Sequence, residues 1–522
     1  MTNALKNMSS GSQWSLLIII YTLSFFTIWY IFVYKWRTRR ITRMLKPFTK
    51  VPALPIIGSL HLVSGNMRER MIKFFDLLNK YEFPLVAWLF HTPIIFVGSY
   101  KDIQTVLNNT HERDTFGIFK RALGGSISLL QGETWRKHRR AMTPAFSNYM
   151  LQQYLHVFNE QSASLAKKLK QLADNDEAFD IWKYVVNMNV DIITQNMTGH
   201  KLQLQEKGTT KFSEALFKSL WLESSRFTSP LLFPDFIYSV YLFVTGNGKC
   251  FKTIYEFSRQ IVQDRLAQYN KEKKIQQPQN NDDEGMKGPK TLIDLLVKVH
   301  DMDPEFTTEH MRAELLNMIT LGSDTSSLTV SFVLLMLAMH PEVQEKVYDE
   351  IKTVFGDEDR VVEPGDLKHL VYLEQCIRET LRKYNVLPAT ARKPSQDIVL
   401  SDKRVIPGGC HVIVAFHAAH LDREIFPNPE TWDPEHFASD SVASQNRQVS
   451  FPFGAGLRSC IGARYAMISI KTQLVHLLRD YRFTTNMKMD DIQVIVDLVL
   501  RNDTGYWLKL WSRKKNKQEI EA

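Results

Sequence analysis

One short segment near the carboxyl end of the 522-residue chain restricts its fold and chemistry more than any other feature. Residues 453–462 read FGAGLRSCIG, and a pattern typical of a long helix follows over 463–481. Gly454 and Gly456 allow the backbone to turn tightly and to approach a flat ligand closely. A thiolate at the start of a helix, such as that of Cys460, is stabilised by the helix dipole and by backbone N–H donors. The segment therefore predicts a glycine-rich turn that presents a cysteine ligand.

The same segment contains the pattern F-x-x-G-x-R-x-C-x-G, which resembles the haem-binding signature of the cytochrome P450 family. The alternative is that Cys460 is simply a small, buried, apolar residue. That interpretation would require this long pattern to have arisen by chance. The resemblance implies that Cys460 is the axial ligand of a haem iron and that Phe453 shields its sulfur from water. It also implies that Arg458 binds a haem propionate and that Gly462 lets the helix approach the haem.

An acid and a base upstream, Glu379 and Arg382, match the family's E-x-x-R element and share a helix face. This spacing alone is common on solvated helices. Its position before Cys460 resembles that of a buried brace beside the haem. A downstream arginine usually completes the brace in the family, whereas this sequence has His436 there. The resemblance therefore implies a structural triad whose charge depends on pH.

Further arginines resemble those that neutralise the haem propionates. Trp135 and Arg139 fit the W-x-x-x-R pattern and share a helix face at this spacing. Arg392, at the end of PATAR, resembles the family's propionate partner on a strand. Each of these arginines alone is more often a surface residue. Together with Arg458 they imply a site for two buried carboxylates, which are costly to leave unpaired.

The family's oxygen-handling element resembles residues 321–326, LGSDTS. The resemblance implies that Gly322 weakens its helix locally and that Asp324 and Thr325 relay protons to bound O₂. The alternative is a polar stripe within a buried helix. Many members of the family's ω-hydroxylase clan esterify their haem through a glutamate before this glycine, whereas this chain has Leu321. We therefore expect non-covalent haem b and a tighter pocket near the iron.

The cysteine content and the charge exclude several other functions. The four cysteines form no C-x-x-C pair, so the sequence indicates neither a zinc site nor a disulfide framework. Lys+Arg 65 against Asp+Glu 56 gives a net charge of +9, without the basic and aromatic tracts of a nucleic-acid-binding protein. This balance fits an anionic membrane surface or an acidic protein partner, and nucleic acid is not expected.

The amino-terminal segment predicts a membrane anchor. Residues 14–34 are uncharged, and their length suffices to cross a bilayer as a helix. Seven basic residues follow within 35–50, which places residues 1–13 in the lumen and the remainder in the cytosol. A cleaved signal peptide is the alternative, but the apolar core is long and its positive charge lies on the wrong side. We expect a single-pass protein of the endoplasmic reticulum membrane.

The rest of the sequence predicts a mainly α protein with small β-sheets, which is the fold that the cytochrome P450 resemblance implies. Helical periodicity is clear over 151–172, 257–273, 308–339 and 342–355. We predict a basic segment with a proline-rich hinge over 35–58, then one large haem domain over 59–511. Residues 271–290 predict an exposed polar loop and 512–522 a charged tail. The apolar stretch 230–244 fits core packing or contact with a membrane equally well.

The resemblance implies a monooxygenase that hydroxylates or epoxidises a lipophilic fatty acid, hormone or xenobiotic. Electrons would come from NADPH through a reductase that docks on the Cys460 face, helped by Lys137 and Arg140, with cytochrome b5 as a further partner. The alternatives are a haem-thiolate isomerase or lyase acting on peroxides, and a non-catalytic haem sensor. Family members of the isomerase type usually lose the acid–alcohol pair that Asp324 and Thr325 provide here.

Overall fold

The computed structural model describes residues 39–113, 118–275, 290–446 and 449–513, with isolated positions between 14 and 33. These residues form a mainly helical protein with small β-sheets, which confirms the predicted fold class. Most of the anchor predicted over 14–34 lies outside the described residues, as do 1–13 and 514–522. The structure therefore leaves the anchor a prediction.

The helices carry most of the chain. In sequence order, α1 to α17 are Met67–Lys80, Tyr100–Asn109, Lys120–Leu123, Gly132–Met142, Asn148–Leu169, Trp182–Thr198, Leu204–Lys207, Lys211–Thr228, Asp235–Val244, Lys249–Ile275, Leu292–Met302, Thr308–Met339, Pro341–Phe355, Val371–Lys383, Phe416–Ala419, Val442–Gln445 and Ala463–Asp480. Short 3₁₀ turns connect some of them, among which Pro434–Phe437 matters for the site.

The strands form one sheet of five and three smaller sheets. In sequence order, β1 to β12 are Thr49–Lys50, Leu85–Leu89, Thr92–Val97, Phe179–Asp180, Ala389–Arg392, Ile398–Val399, Val405–Ile406, His411–Ala415, Tyr481–Thr484, Val494–Asp497, Val499–Asn502 and Trp507–Ser512. The large sheet has the order β1-β2-β3-β8-β5, in which β1 with β2 and β3 with β8 are parallel. The others are β10-β11, β4-β12-β9 and β6-β7.

Helix α12 passes through the centre of the core. Within the described residues it is long and apolar enough to cross a membrane, yet most of it is buried inside the protein. An all-round apolar helix of this kind belongs to the core of a large domain. It begins after a capping box formed by Thr307 and His310, and it ends at Met339, two residues before Pro341. Its predicted bounds of 308–339 are therefore confirmed.

Helix α12 packs closely against α6 at Gly322. A Cβ atom added there would lie 3.0 Å from Cδ1 of Ile193, closer than ordinary van der Waals contact. A larger residue at this position would therefore require the Ile193 side chain to move, a packing role that the sequence did not suggest.

Three predicted boundaries differ from the structure. The haem domain begins before residue 59, because β1 pairs with β2 and the side chains of Leu45, Phe48 and Val51 are buried. The polar loop starts later than 271, because α10 continues to Ile275, and 276–289 lie outside the described residues. The charged tail starts later than the predicted residue 512, because Arg513 still forms an ion pair with Glu345.

Candidate active site

The cysteine segment folds as the tight turn that its glycines predict. Gly454 and Gly456 both have φ of 70°, in the left-handed region that favours glycine. The backbone N–H of Cys460 donates to the carbonyl of Phe453 at 2.9 Å, which closes the loop before α17 begins. A Cβ on Gly456 would lie 2.9 Å from the carbonyl oxygen of Leu107. Helix α2 therefore holds this loop in place.

The thiol of Cys460 faces a cavity of about 840 Å³ inside the protein. The side chain is exposed only in the sense that it borders this cavity, because dense protein surrounds the site. Burial raises the pKa of the thiol, whereas the N–H of Gly462 and the charges of Arg113 and Arg139 lower it. Burial outweighs these groups, so the pKa is raised overall, and the Gly462 N–H and the two arginines are the groups that would stabilise a thiolate bound to a metal.

Two arginines attach to the carbonyls of the cysteine loop. Arg139, from α4, donates to the carbonyl of Ser459 at 3.0 Å. Arg113 donates to the carbonyl of Arg458 at 2.9 Å. Burial lowers the pKa of both guanidinium groups, although the neighbouring Cys460 opposes this. These contacts orient the guanidinium groups along the cavity wall, where both side chains lie.

Arg458 and Arg392 also line the cavity, and both are nearly inaccessible to solvent. Arg458 donates to the carbonyl of Leu130 at 2.7 Å, and its guanidinium lies 4.4 Å from the ring centroid of Trp135. Arg392 donates to Oγ1 of Thr390 at 2.9 Å. Burial and the charges of neighbouring arginines lower the pKa of each to about 9.

These four arginines fit a ligand with two carboxylates. Nε of Arg113, Nε of Arg392, and Nε and Nη1 of Arg458 are buried without a hydrogen-bond partner. No described carboxylate forms an ion pair with any of the four, so their charges repel one another. Unpaired buried donors are costly, and propionate oxygens would satisfy them. The cavity beside Cys460 therefore suits haem, and haem fits the residues present.

Sequence reasoning missed Arg113. It lies just after α2 and forms an isolated bridge with Arg392, next to no recognisable motif. The sequence around it, HERD at 111–114, shows only charged and polar residues. No sequence signal therefore placed Arg113 at the site. By contrast, the structure brings the predicted residues Trp135, Arg139, Arg392, Phe453, Arg458, Cys460 and Gly462 to one cavity.

The predicted oxygen-handling pair is divided between two sides of α12. Thr325 and Gly322 line the cavity, and the hydroxyl of Thr325 donates to the carbonyl of Leu321 at 2.8 Å. Asp324 does not line the cavity, because its side chain turns towards Arg501, with 3.3 Å between Oδ2 and Nη2. Burial raises the pKa of Asp324, and Arg501 opposes the increase. Thr325 therefore faces the cavity and Asp324 faces away from it, and their joint role in proton delivery stays a prediction.

The predicted brace is present as a buried network. Arg382 binds both carboxylate oxygens of Glu379 at 2.8 Å, and neither side chain is accessible to solvent. His436, in the 3₁₀ turn, places Nδ1 at 3.1 Å from Glu379 and Nε2 at 2.6 Å from the carbonyl of Pro427. Burial lowers the pKa of His436, but Glu379 and the carbonyl outweigh it, so the pKa is raised. Two acceptors require the imidazolium form.

One of the two basic residues predicted for reductase docking already has partners. The ammonium group of Lys137 lies 2.7 Å from Asp303 and 2.9 Å from Glu305. These carboxylates reduce the positive charge that Lys137 can offer a partner. Arg140 is exposed.

The comparisons agree with this fold and site. The family model described as Cytochrome P450 matches residues 49–509. The chain therefore belongs to the cytochrome P450 family, the haem-thiolate monooxygenase class of oxidoreductases.

The named relatives are insect and mammalian members of P450 family 4. The chain is 31% identical to "Cytochrome P450 4c21" of Blattella germanica over 90% of this chain and 94% of that protein. It is 30% identical to "Probable cytochrome P450 4aa1" of Drosophila melanogaster over 89% of each. It is 28% identical to "Cytochrome P450 4V2" of Homo sapiens over 91% of each.

Proposed function

We propose that this chain oxidises a lipophilic substrate with O₂ and with electrons that a membrane-bound reductase takes from NADPH. The observation that carries the proposal is the Cys460 thiol facing an apolar cavity of about 840 Å³ beside four arginines. Haem would occupy the part of this cavity beside Cys460 and the arginines, and the apolar part that remains would admit a lipophilic molecule. Haem b, held without a covalent bond, supplies O₂ activation when it is bound to the thiolate.

The chain's own residues have distinct roles in this proposal. Arg113, Arg139, Arg392 and Arg458 hold the haem carboxylates, and Trp135 supports Arg458. Phe453 keeps water from the sulfur. Thr325 supplies a hydroxyl in the cavity wall that positions a proton for the reaction. Hydroxylation puts one oxygen atom into the substrate and converts the other into water, which consumes two electrons and two protons.

We place the protein in the endoplasmic reticulum membrane, anchored by residues 14–34. The apolar side chains described there, including those of Trp14 and Phe25, are exposed. On α9, Phe236 and Phe243 are 78% and 87% exposed, whereas Tyr238 and Leu242 of the same helix are buried in the core. One face of α9 therefore packs in the core, and the exposed rings favour contact of the other face with the same membrane. The reductase, and cytochrome b5 as a second donor, would approach the face of the cysteine loop that carries Arg140.

The first test is the carbon-monoxide difference spectrum of the reduced protein. We expect a strongly red-shifted Soret band that Cys460→Ala abolishes. Cys410→Ala is the matched control, because this second cysteine is buried away from the cavity, and it leaves the band unchanged. A band at the position of histidine-ligated haem in the parent protein would refute the proposal.

A second experiment separates oxidation by O₂ from rearrangement of peroxides. The protein is reconstituted with reductase and NADPH and is screened against fatty acids, hormones and xenobiotics. Thr325→Ala retains haem but diverts electrons from product to hydrogen peroxide, whereas Thr325→Ser retains the hydroxyl and the coupling. Equal coupling in the parent protein and both variants would show that Thr325 has no part in proton transfer.

A further inference from the structure

A buried carboxylate in α12 has no role in the site described above. Glu314 is inaccessible to solvent, and its Oε1 accepts hydrogen bonds from the N–H of Ile127 at 2.8 Å and from Nδ1 of His138 at 2.7 Å. Its Oε2 is buried and has no hydrogen-bond partner. Burial raises the pKa of Glu314, whereas His138 and the Ile127 N–H oppose this. The group can therefore exist as a carboxylic acid or as a carboxylate.

Two imidazole rings in contact with each other lie between Glu314 and the surface. The ring of His138 lies edge-on to that of His310, with 4.8 Å between their centroids. His310 is partly exposed in the first turn of α12, and its Nδ1 accepts the N–H of Thr307 at 3.2 Å. Because Nδ1 accepts, Nε2 of neutral His310 carries the proton. Burial and the charge of His138 lower the pKa of His310, and the charge of Lys137 adds to this effect. The backbone carbonyl of Glu305 and the charge of Glu309 oppose it.

The other side of Glu314 adjoins the cavity wall. Asn317 lies one helical turn further along the same face of α12 and borders the cavity, as does Ile127. The Oδ1 atom of Asn317 accepts the hydroxyl hydrogen of Ser126 at 3.0 Å. A carboxyl group that binds Ile127 through one oxygen is thus held directly behind this wall. The second oxygen of Glu314, Oε2, has no hydrogen-bond partner and could bind a proton.

We propose that His310, His138 and Glu314 form a proton relay from solvent to the cavity wall at Ser126 and Asn317. A proton from solvent binds Nδ1 of His310 in place of the Thr307 N–H, and His310 passes its Nε2 proton to His138. His138 passes its Nδ1 proton to Glu314, whose carboxyl group releases a proton towards the cavity. Tautomer exchange of the two rings then restores the starting state, and no electrons move. The inference rests on the proposed oxidation, which consumes protons inside a cavity that Asp324 does not face.

A second buried glutamate shows what a purely structural carboxylate looks like here. Glu223 is equally inaccessible, accepts the N–H of Phe119 at 2.8 Å through Oε2, and has Oε1 without a partner. Burial raises its pKa as well. Among the described residues, no histidine hydrogen-bonds to Glu223. The difference between the two is therefore the His138 connection, which makes Glu223 the matched control.

The test is infrared spectroscopy of the buried carboxyl groups on transfer into D₂O. We expect a carboxylic-acid band that is absent from Glu314→Gln and shifts rapidly in D₂O. In His310→Gln, where glutamine can preserve the capping box, exchange of this band slows at least about tenfold, as for the loss of a proton-transfer partner. The band lost in Glu223→Gln keeps its own exchange rate in His310→Gln. Equal exchange of the Glu314 band with and without His310, or no such band at any working pH, would overturn the relay.

Turnover gives an independent measurement. With reductase and NADPH, Glu314→Gln lowers the fraction of electrons that reach product and raises the solvent deuterium isotope effect, whereas Glu223→Gln changes neither. His138→Phe tests the middle of the relay and retains an aromatic ring against Phe306. Failure to find any NADPH-dependent product would remove the proposed function but leave the infrared result intact. Normal coupling in Glu314→Gln would overturn the relay alone.

Discussion

Replacing Arg382 by methionine should produce a large and diagnosable loss of stability. The guanidinium donates to both oxygens of Glu379 and to the carbonyls of His420, Pro429 and Thr431, with every distance between 2.8 and 2.9 Å. Its removal leaves the buried Glu379 carboxylate with His436 as its remaining cationic partner, and loss of one partner from a buried ion pair costs about 3–5 kcal/mol. The three carbonyls lose a charged donor as well, whereas His436 offsets part of the loss, so we expect a value within this range.

A second variant separates the charge from the hydrogen bonds. In Glu379→Gln/Arg382→Met the buried charge is gone, and only the carbonyls remain without their donor. This double variant should recover part of the loss and fall about 1–3 kcal/mol below the parent protein. Glutamine can still accept the N–H of Asp433 and the ring N–H of His436.

The assay is urea unfolding followed by tryptophan fluorescence at constant haem content. A slope of roughly 3 kcal/mol per molar converts the expected loss for Arg382→Met into a midpoint shift of about 1–2 M. The double variant should unfold at higher urea than Arg382→Met. If the double variant is equally or less stable, the loss of Arg382 as partner of the buried Glu379 charge is not what destabilises the single variant.

Three further predictions concern the same core and its haem. The pKa of His436 is raised, so its contribution to the free energy of unfolding is complete below its ordinary pKa of about 6.5 and is lost as the pH rises through the raised pKa. Urea midpoints measured across this pH range should therefore fall for the parent protein. For His436→Arg, whose side chain stays charged, they should stay level. Arg113→Met should release haem to an excess of acceptor protein at least about tenfold faster, since it removes a charged hydrogen-bond donor, whereas a variant at the exposed Arg140 should not. Acidified organic solvent should extract the haem completely, because Leu321 cannot form an ester, and retained haem would contradict this.

Local patterns in the sequence were sufficient for part of this site. The cysteine loop is specified within ten residues, where Gly454 and Gly456 need positive φ and Cys460 bonds back to Phe453. Helix α12 was also predictable, because its cap at Thr307 and its stop at Pro341 are both local signals. Such features depend on neighbours along the chain, and the sequence displays those neighbours directly.

Contacts between distant segments were not predictable in the same way. Arg113 reaches the cysteine loop across 345 residues, and the Asp324–Arg501 contact spans 177. The motif containing Asp324 predicted a role in the cavity, but the side chain can turn either way from a helix that is buried on all sides. The partner on β11 decides the direction, and no local pattern in the sequence announces it.

The burial of Leu45, Phe48 and Val51 affects how a water-soluble form of this enzyme should be made. The proline-rich stretch invites removal of everything before residue 59, but that cut would delete β1 and uncover the edge of β2. An exposed strand edge next to apolar side chains promotes aggregation. A cut before residue 39 keeps the pairing and also keeps Arg40, which forms an ion pair with Asp397. The shortest usable protein thus starts about twenty residues earlier than the sequence suggests.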